Sequence, residues 1–269
     1  MTKPLIYFVA VNYNNAAYSL KYVKSVLSLK SDFNVQVIIV DNKSEVEDIF
    51  EIEKGITGLD NVKLIKNPVN SGYFKGLNKG LETFDTSSAA FVLIGNNDLE
   101  FDADFLQLLK KIEFDNHTMI LAPDVVTENG IHQNPLCIKR MHPLRKWGLR
   151  IYYTNYYFGK TIYHLTQLIK NAAMPNRKLE SSEFIYMGIG ACYVLTPNFF
   201  KSFSLLKEDV FLWSEEALLA GQITEKNGKT LYCSQLIVHH AENTSIKKLP
   251  SRKTYAMARE SFLKTFRYY

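Results

Sequence analysis

The sequence predicts an α/β protein with a Rossmann-like, mostly parallel central sheet flanked by helices. Two observations carry this. Through the first 125 residues, short aliphatic or β-branched runs alternate with segments of helical spacing. The runs also break off in Asn, Asp and Gly, as strand ends do where the chain leaves a core. Strands that alternate with helices form βαβ units, and right-handed crossovers place the strand ends on one edge.

The elements follow in order. Leu5–Val11 is apolar throughout and reads as a buried strand, and Ala16–Leu29 places Leu20, Val23, Val26 and Leu27 at helical spacing. Val35–Val40 is a second strand ending in "DNKS", followed by a short helix near Val46–Ile52 and a brief strand at Val62–Ile65. "NPVNSGYFKGLNKGLETF" is a loop leading into a helix, Ala90–Ile94 a strand, Ala103–Ile112 a helix and Met119–Ala122 another strand. From Ile138 to Lys170 the chain turns basic and aromatic. Order returns with a strand at Ala191–Leu195, a helix start at Pro197, a helix over about Ser214–Lys226 and a strand at Thr230–Val238. Ser251–Tyr269 has the pattern of a basic amphipathic helix.

Composition narrows the function classes. The chain has 269 residues, 46% hydrophobic and 22% charged, which suits a globular protein of one large domain or two small ones. A net charge of +5 is too mild to argue for nucleic acid, and no nucleic-acid-binding motif is present. Three widely spaced cysteines, Cys137, Cys192 and Cys233, fit neither a disulfide framework nor a zinc site and suit a reducing compartment. The apolar run Leu5–Val11 is too short for a signal-peptide core, and no run approaches the roughly 20 apolar residues of a membrane span. A cytoplasmic protein is expected, with peripheral contact to a membrane through its basic aromatic segments.

The polar strand ends are the first candidate site. Asn12-Tyr13-Asn14, Asp41-Asn42, Asn67 with Asn70, and Asn96-Asn97-Asp98 stand at four successive ends. One such end is explained by a turn; four along one edge make a nucleotide or sugar pocket, because open α/β sheets bind ligands outside the carboxyl ends of their strands. No Gly-x-Gly-x-x-Gly follows the first strand and no Walker loop occurs, which removes the main support for dinucleotide and NTPase readings. Gly72, Gly76 and Gly80 recur every four residues, which fits helix-to-sheet packing and ligand approach equally well. Glu215 and Glu216 follow an apolar stretch at a helix start; there they can complement the helix dipole or, beside aromatic surface, act as a base of raised pKa. His239 and His240 close a strand, as structural residues or as a metal or phosphate contact.

Taken in order, these motifs resemble the family 2 glycosyltransferases of bacterial surface polysaccharide biosynthesis, including rhamnosyltransferase-like members. The matching residues are Val11–Asn14, "IIVDNKS" to Ser44, "NSGYFKGLNKG" from Asn70 to Gly80, "LIGNNDLEF" around Asp98, Gly190, "FLWSEEALLA" and "VHHAENTS" to Ser245. The resemblance implies a GT-A fold with a C-terminal basic helical extension. Residues 1–125 would form the nucleotide-sugar-binding half, 126–250 the acceptor-binding and catalytic half of the same domain, and 251–269 a C-terminal amphipathic helix. It implies an inverting, hexosyltransferase-type enzyme acting in capsule, O-antigen or lipopolysaccharide synthesis on a glycan or lipid-linked acceptor. Donor binding would fall to Asn12, Tyr13, Asn14, Asp41, Asn70, Asn78 and Asn97, with Asp41 and the 12–14 loop on the base and ribose. Asp98 is the surviving acid of the family's Asp-x-Asp motif and, with His240, would hold Mn²⁺ or Mg²⁺ on the diphosphate of a UDP or dTDP sugar. Glu215 and Glu216 match the family's acidic pair, whose second member is usually assigned as base. Asn96 replaces the first metal acid, and Leu218 and Gln222 stand near where an Asp and an Arg often follow. The alternative is a catalytically silent sugar-nucleotide-binding subunit; a homodimer is compatible with either reading.

Overall fold

The computed structural model describes residues 3–162, 179–242 and 251–269. Strand β1 (Leu5–Asn12) is buried along most of its length. Its alternate residues Ile6, Phe8 and Ala10 pack on one face with Tyr22, Val23 and Val26 of helix α1 (Ala16–Leu27). Val9 packs on the other face in the cluster that holds Phe74 and Leu77. A strand covered on both faces reads as a continuous apolar run, which is why it was legible.

The chain continues through β2 (Asn34–Asp41), α2 (Val46–Ile56), β3 (Val62–Lys66), α3 (Tyr73–Leu81), β4 (Ala89–Asn96), β5 (Leu99–Phe101), α4 (Phe105–Leu109) and β6 (Thr118–Thr127). Then come α5 (Pro143–Tyr152), β7 (Glu183–Ile185), β8 (Cys192–Leu195), α6 (Pro197–Phe200), α7 (Glu215–Thr224), β9 (Lys229–His240) and α8 (Arg252–Thr265). The sheet order is β3-β2-β1-β4-β8-β6-β9-β5, with β7 also on β9. Strands β3, β2, β1 and β4 are mutually parallel. Beyond them the sheet is mixed: β8 runs antiparallel to β4 and β6, β9 is parallel to β6, and β5 and β7 are antiparallel to β9. The same sheet therefore carries strands from both expected halves.

Four elements depart from expectation. Strands β5 and β7 have only three residues each, too few to show alternation. Helix α4 spans five residues where ten were expected, and Asp102 and Asp104 lie in the turn that starts it. The basic stretch beginning at Ile138 contains α5, which buries no residue fully and so carries no core-facing stripe for periodicity to reveal. Residues 163–170 of that stretch, and the last three of "VHHAENTS", lie outside the described residues. The C-terminal helix α8 is docked rather than extended: Tyr255 and Phe262 are buried, as is Tyr268 just beyond it.

The glycine series resolves as close packing. A Cβ on Gly80 would lie 2.4 Å from Val9 Cγ1 and one on Gly76 3.1 Å from Val11 Cγ2, so α3 lies directly on β1. Gly72 differs. It precedes the helix at φ +93°, and a Cβ there would meet the Phe211 carbonyl oxygen at 2.3 Å. Only glycine fits both constraints.

Candidate active site

The polar strand ends form two layers. In the lower layer Asn12 is fully buried, and its amide donates to Asp41 Oδ1 (2.9 Å), Ser44 Oγ (3.1 Å) and Asp48 Oδ2 (2.7 Å). Its oxygen accepts from Ser19 Oγ and from Asn97 Nδ2, and Asn97 also donates to Ser19 Oγ at 2.8 Å. Asp41 Oδ2 accepts the Ser44 backbone N–H, which holds the turn after β2. Asn12, Asp41 and Asn97 thus hydrogen-bond mainly to one another and shape the loops above them. Asn42 does the same for the third strand end, donating to Asn70 Oδ1 and the Gly72 carbonyl while accepting from Asn67 and Ser71. Asn78 lies apart from these: its amide donates to the Leu206 carbonyl and Glu208, and its oxygen accepts from Leu206 N. That arrangement clamps the 206–208 loop.

The upper layer is more open. Tyr13 and Asn14 are exposed, and Asn14, at φ 52°, takes a 2.7 Å bond from its backbone N–H to Ser44 Oγ. Its side-chain oxygen accepts from Glu45 N, tying the first and second strand-end loops together. Asn70 is half-buried beside them.

At the end of β4 and in the bend beyond it the side chains diverge: Asn97 turns to Asn12 and Ser19, and Asn96 and Asp98 turn elsewhere. Both meet His240 at the end of β9: Asp98 Oδ1 lies 3.3 Å from His240 Nε2, and Asn96 Nδ2 lies 3.2 Å from the same nitrogen. His239, on the other face of the strand, pairs with Asp102 instead. The proton on His240 can be placed from its neighbours. Gln133 Nε2 donates to Glu242 at 2.7 Å, so Gln133 Oε1 is the atom facing His240 Nδ1 at 2.8 Å. An amide oxygen only accepts. Nδ1 therefore donates to Gln133, and Nε2 is the ring nitrogen that faces Asp98 and Asn96.

Asp98 and His240 are the residues here that could hold a divalent cation, between a carboxylate oxygen and an imidazole nitrogen. Among the described residues no group of three or more His, Cys, Asp or Glu could hold a metal. Two protein ligands fit a Mg²⁺- or Mn²⁺-type ion whose remaining positions go to substrate oxygens and water.

The acidic pair sits beside this corner. Asn96 N donates to the Ala191 carbonyl (2.9 Å), Gly190 N donates to Glu216 Oε1 (3.2 Å), and Tyr73 O–H donates to the Gly190 carbonyl (2.8 Å). Gly190-Ala191 is therefore the short bridge between the end of β4 and the acids. Burial first, then the charges of Glu215, Cys192, Glu216 and Asp98, push the Tyr73 phenol well above its ordinary range.

Trp213 and Ser214, at φ 64° and 67°, hold a left-handed turn immediately before α7. Non-glycine residues in that region are strained and need surrounding support. The C-terminal segment supplies it: Ser261 Oγ donates to the Leu212 carbonyl and Tyr269 O–H to Ser214 Oγ. Glu215 is 5% exposed, and its Oε1 has no hydrogen-bond partner. Burial, reinforced by the charge of Glu216, lifts its carboxyl to about 8. Burial also raises Glu216, but that side chain is only half-buried.

The Glu215 shift has a consequence for stability. Between about pH 4.5 and 8 the folded protein keeps a proton that the unfolded chain releases, so this group lowers stability as pH rises through that window. Glu215→Gln should therefore unfold at higher urea than the wild type at pH 9, by a few kcal/mol at about 1.4 kcal/mol per pKa unit. The difference should vanish near pH 4. Equal midpoints at pH 9 would show that Glu215 ionises freely.

Two site residues escaped the sequence reading. Gln133 lies in an irregular stretch with no motif, and Asp48 acts only through loop-to-loop bonds. Ser44 and Tyr73 stood within quoted motifs, but only the fold brings Ser44 to Asn12 and Asn14, and the Tyr73 hydroxyl to Gly190, 117 residues away.

A mixed sheet with its parallel half ending in this polar edge, and an acidic pair on a helix facing it, is the GT-A glycosyltransferase fold. The family model for glycosyl transferase family 2 matches residues 7–179, and the chain belongs to that family. No curated protein matches. Similar solved structures include GalNAc-T7 with UDP, GalNAc and Mn²⁺, at 15% identity and TM-score 0.60 over 94% of this chain and 47% of that one. Another is the mannosyltransferase PcManGT from Pyrobaculum calidifontis in complex with GDP-Man and Mn²⁺, at 15% identity and TM-score 0.58 over 98% and 65%. A third is S. aureus TarS 1–349 in complex with UDP-GlcNAc, at 14% identity and TM-score 0.59 over 97% and 66%. At such identities the likeness is one of fold. The chain spans about half to two thirds of these structures' length.

Proposed function

We propose that the protein transfers a sugar from a nucleotide-diphosphate donor to a hydroxyl of a glycan or lipid-linked acceptor, with inversion at the anomeric carbon. The observation that carries this reading is the Gly190-Ala191 bridge, which sets the Asp98–His240 pair beside the Glu215–Glu216 pair. Family membership supports it, as do structural neighbours in complex with UDP, UDP-GlcNAc, GDP-Man and Mn²⁺.

Glu216 is the base in this account. It is the more open of the two acids, and the Gly190 N–H fixes one of its oxygens, leaving the other to take the proton of the acceptor hydroxyl. Glu215, shut away and protonated up to about pH 8, adds no second negative charge beside it at neutral pH. As the acceptor oxygen attacks, the bond from the anomeric carbon to the diphosphate breaks on the opposite face. Asp98 and His240 would hold a divalent cation, which supplies Lewis-acid neutralisation of the departing diphosphate. The nitrogen ligand favours Mn²⁺ over the oxygen-seeking Mg²⁺. Tyr13, 54% exposed, offers a stacking face for the base, and Asn14 and Asn70 offer polar groups to the nucleoside. Asn12, Asp41 and Asn97 act beneath them by fixing the loops. Placement in capsule, O-antigen or lipopolysaccharide assembly, with UDP-hexose or dTDP-rhamnose as donor, rests on the motif resemblance.

The test is release of nucleoside diphosphate from a panel of UDP-, dTDP- and GDP-sugars with Mn²⁺, with and without oligosaccharide acceptors. Turnover of one donor, stimulated by an acceptor, is expected. Tight donor binding with no turnover under any acceptor would favour the silent binding subunit, a reading that Asn96 in the first metal-acid position keeps open.

Gln133 gives a separate check on the metal corner. Partners that orient a ligating histidine typically contribute about 10–100-fold in metal affinity. Gln133→Leu should weaken Mn²⁺ binding by about that factor, read by electron paramagnetic resonance of free Mn²⁺. Unchanged Mn²⁺ affinity in a folded variant would remove His240 from the ligand set.

A further inference from the structure

Helix α5 is mounted on the protein the wrong way round for an ordinary surface helix. The side turned toward the body of the protein carries Lys146, Leu149 and Tyr152, all half-buried. Lys146 Nζ lies 4.4 Å from the centre of the Phe266 ring, and the Arg150 guanidinium lies 5.5 Å from the same ring. Just beyond the helix, Tyr153 stacks on Phe262 with ring centres 4.7 Å apart, and Arg259 Nε donates to the Tyr153 carbonyl. On the opposite side stand Leu144, Trp147 and Ile151, at i, i+3 and i+7, which align on one helical face. They are 76%, 55% and 50% exposed.

A globular helix normally buries its apolar stripe and turns its charges to water. Here the stripe faces out, with the exposed Arg150 on its flank and the exposed Arg145 elsewhere on the same helix. Arg150 also lies 5.0 Å from the Trp147 ring centre, so the cation and the indole present one surface. From Lys139 to Ile162 the sequence has six Lys or Arg and no Asp or Glu. Arg140 NH2 donates to the Arg267 carbonyl, which joins this helix to the basic C-terminal segment.

We propose that this face docks on an anionic lipid bilayer, with Leu144, Trp147 and Ile151 entering the interface and the surrounding cations meeting headgroups. The combination of an apolar ridge and flanking cations is that of an interfacial helix. Cations near an anionic leaflet each add to the attraction, and the sum is screened by salt. A second copy of the same face is a poor partner, since it would set cations against cations. The proposal stands on α5 and its mounting, and does not depend on the sugar-transfer reading.

The experiment is co-sedimentation of the full chain with phosphatidylcholine vesicles, with and without phosphatidylglycerol, across a salt series. Binding to the phosphatidylglycerol vesicles, weakened by salt, is expected. Leu144→Ser/Trp147→Ser/Ile151→Ser and, separately, Arg145→Glu/Arg150→Glu should each reduce it at least tenfold while leaving the melting temperature unchanged. Brominated lipids should quench the protein's fluorescence, and Trp147→Phe should abolish that quenching. Equal binding to neutral and anionic vesicles would overturn the proposal. So would absence of vesicle binding, whether accompanied by self-association or nucleic-acid binding that the same variants remove.

Discussion

Glu216→Gln should lower sugar transfer by about two to four orders of magnitude, the range that general-base assistance contributes. The amide oxygen of Gln can still accept the Gly190 N–H, so the helix start and the bridge should hold, and donor binding should stay within a few-fold of wild type. Glu215→Gln is the control that makes the assignment specific. That carboxyl is held protonated by burial up to about pH 8, so an amide in its place should cost turnover far less at neutral pH. If Glu215→Gln loses as much as Glu216→Gln, with binding intact, the roles are reversed or shared. The acid limb of the pH–rate profile should also lie above the ordinary glutamate value, because burial raises Glu216.

The second large effect is expected at the metal corner. His240→Ala removes the nitrogen facing Asp98 and leaves a single carboxylate beside Asn96. Turnover should fall by at least about a hundredfold, since neutralising a leaving diphosphate is worth several kcal/mol. Raising Mn²⁺ should restore part of it, because the variant's defect would be one of metal affinity. His239→Ala should leave turnover near wild type: its ring pairs with Asp102 on the other face of β9. Comparable losses in the two variants would mean that the strand end, and not the metal ligand, is what matters.

How far the sequence reached follows from burial. Strands β1, β2 and β4 are covered on both faces, so their apolar runs survive any choice of register and mark themselves. The second half keeps such a run in β8, but its three-residue β7 and the unburied α5 carry no periodicity to read. Among site residues, the sequence placed Asn96, Asn97 and Asp98 together at one strand end but could not divide them. The fold does: Asn97 turns inward to Asn12 and Ser19, while Asn96 and Asp98 turn to His240. Asn78 shared a motif with donor-site residues, yet it lies on the buried side of α3 against Leu206, a contact 128 residues long that no local pattern encodes. Likewise, α8 was legible as a basic amphipathic helix because its aromatic stripe is visible in sequence, whereas the partners it docks on are not. That the stripe of α5 faces outward could be learned only from how the helix is mounted.

The most direct test of the central claim, a metal-assisted nucleotide-diphosphate site at the end of β4, is calorimetric titration of UDP and dTDP. Each is titrated with and without Mn²⁺ into wild type and Asp98→Ala. The account expects one nucleotide to bind with Mn²⁺, and that binding to be lost or reduced at least tenfold either without Mn²⁺ or in Asp98→Ala. Binding that is indifferent both to Mn²⁺ and to Asp98 would contradict it.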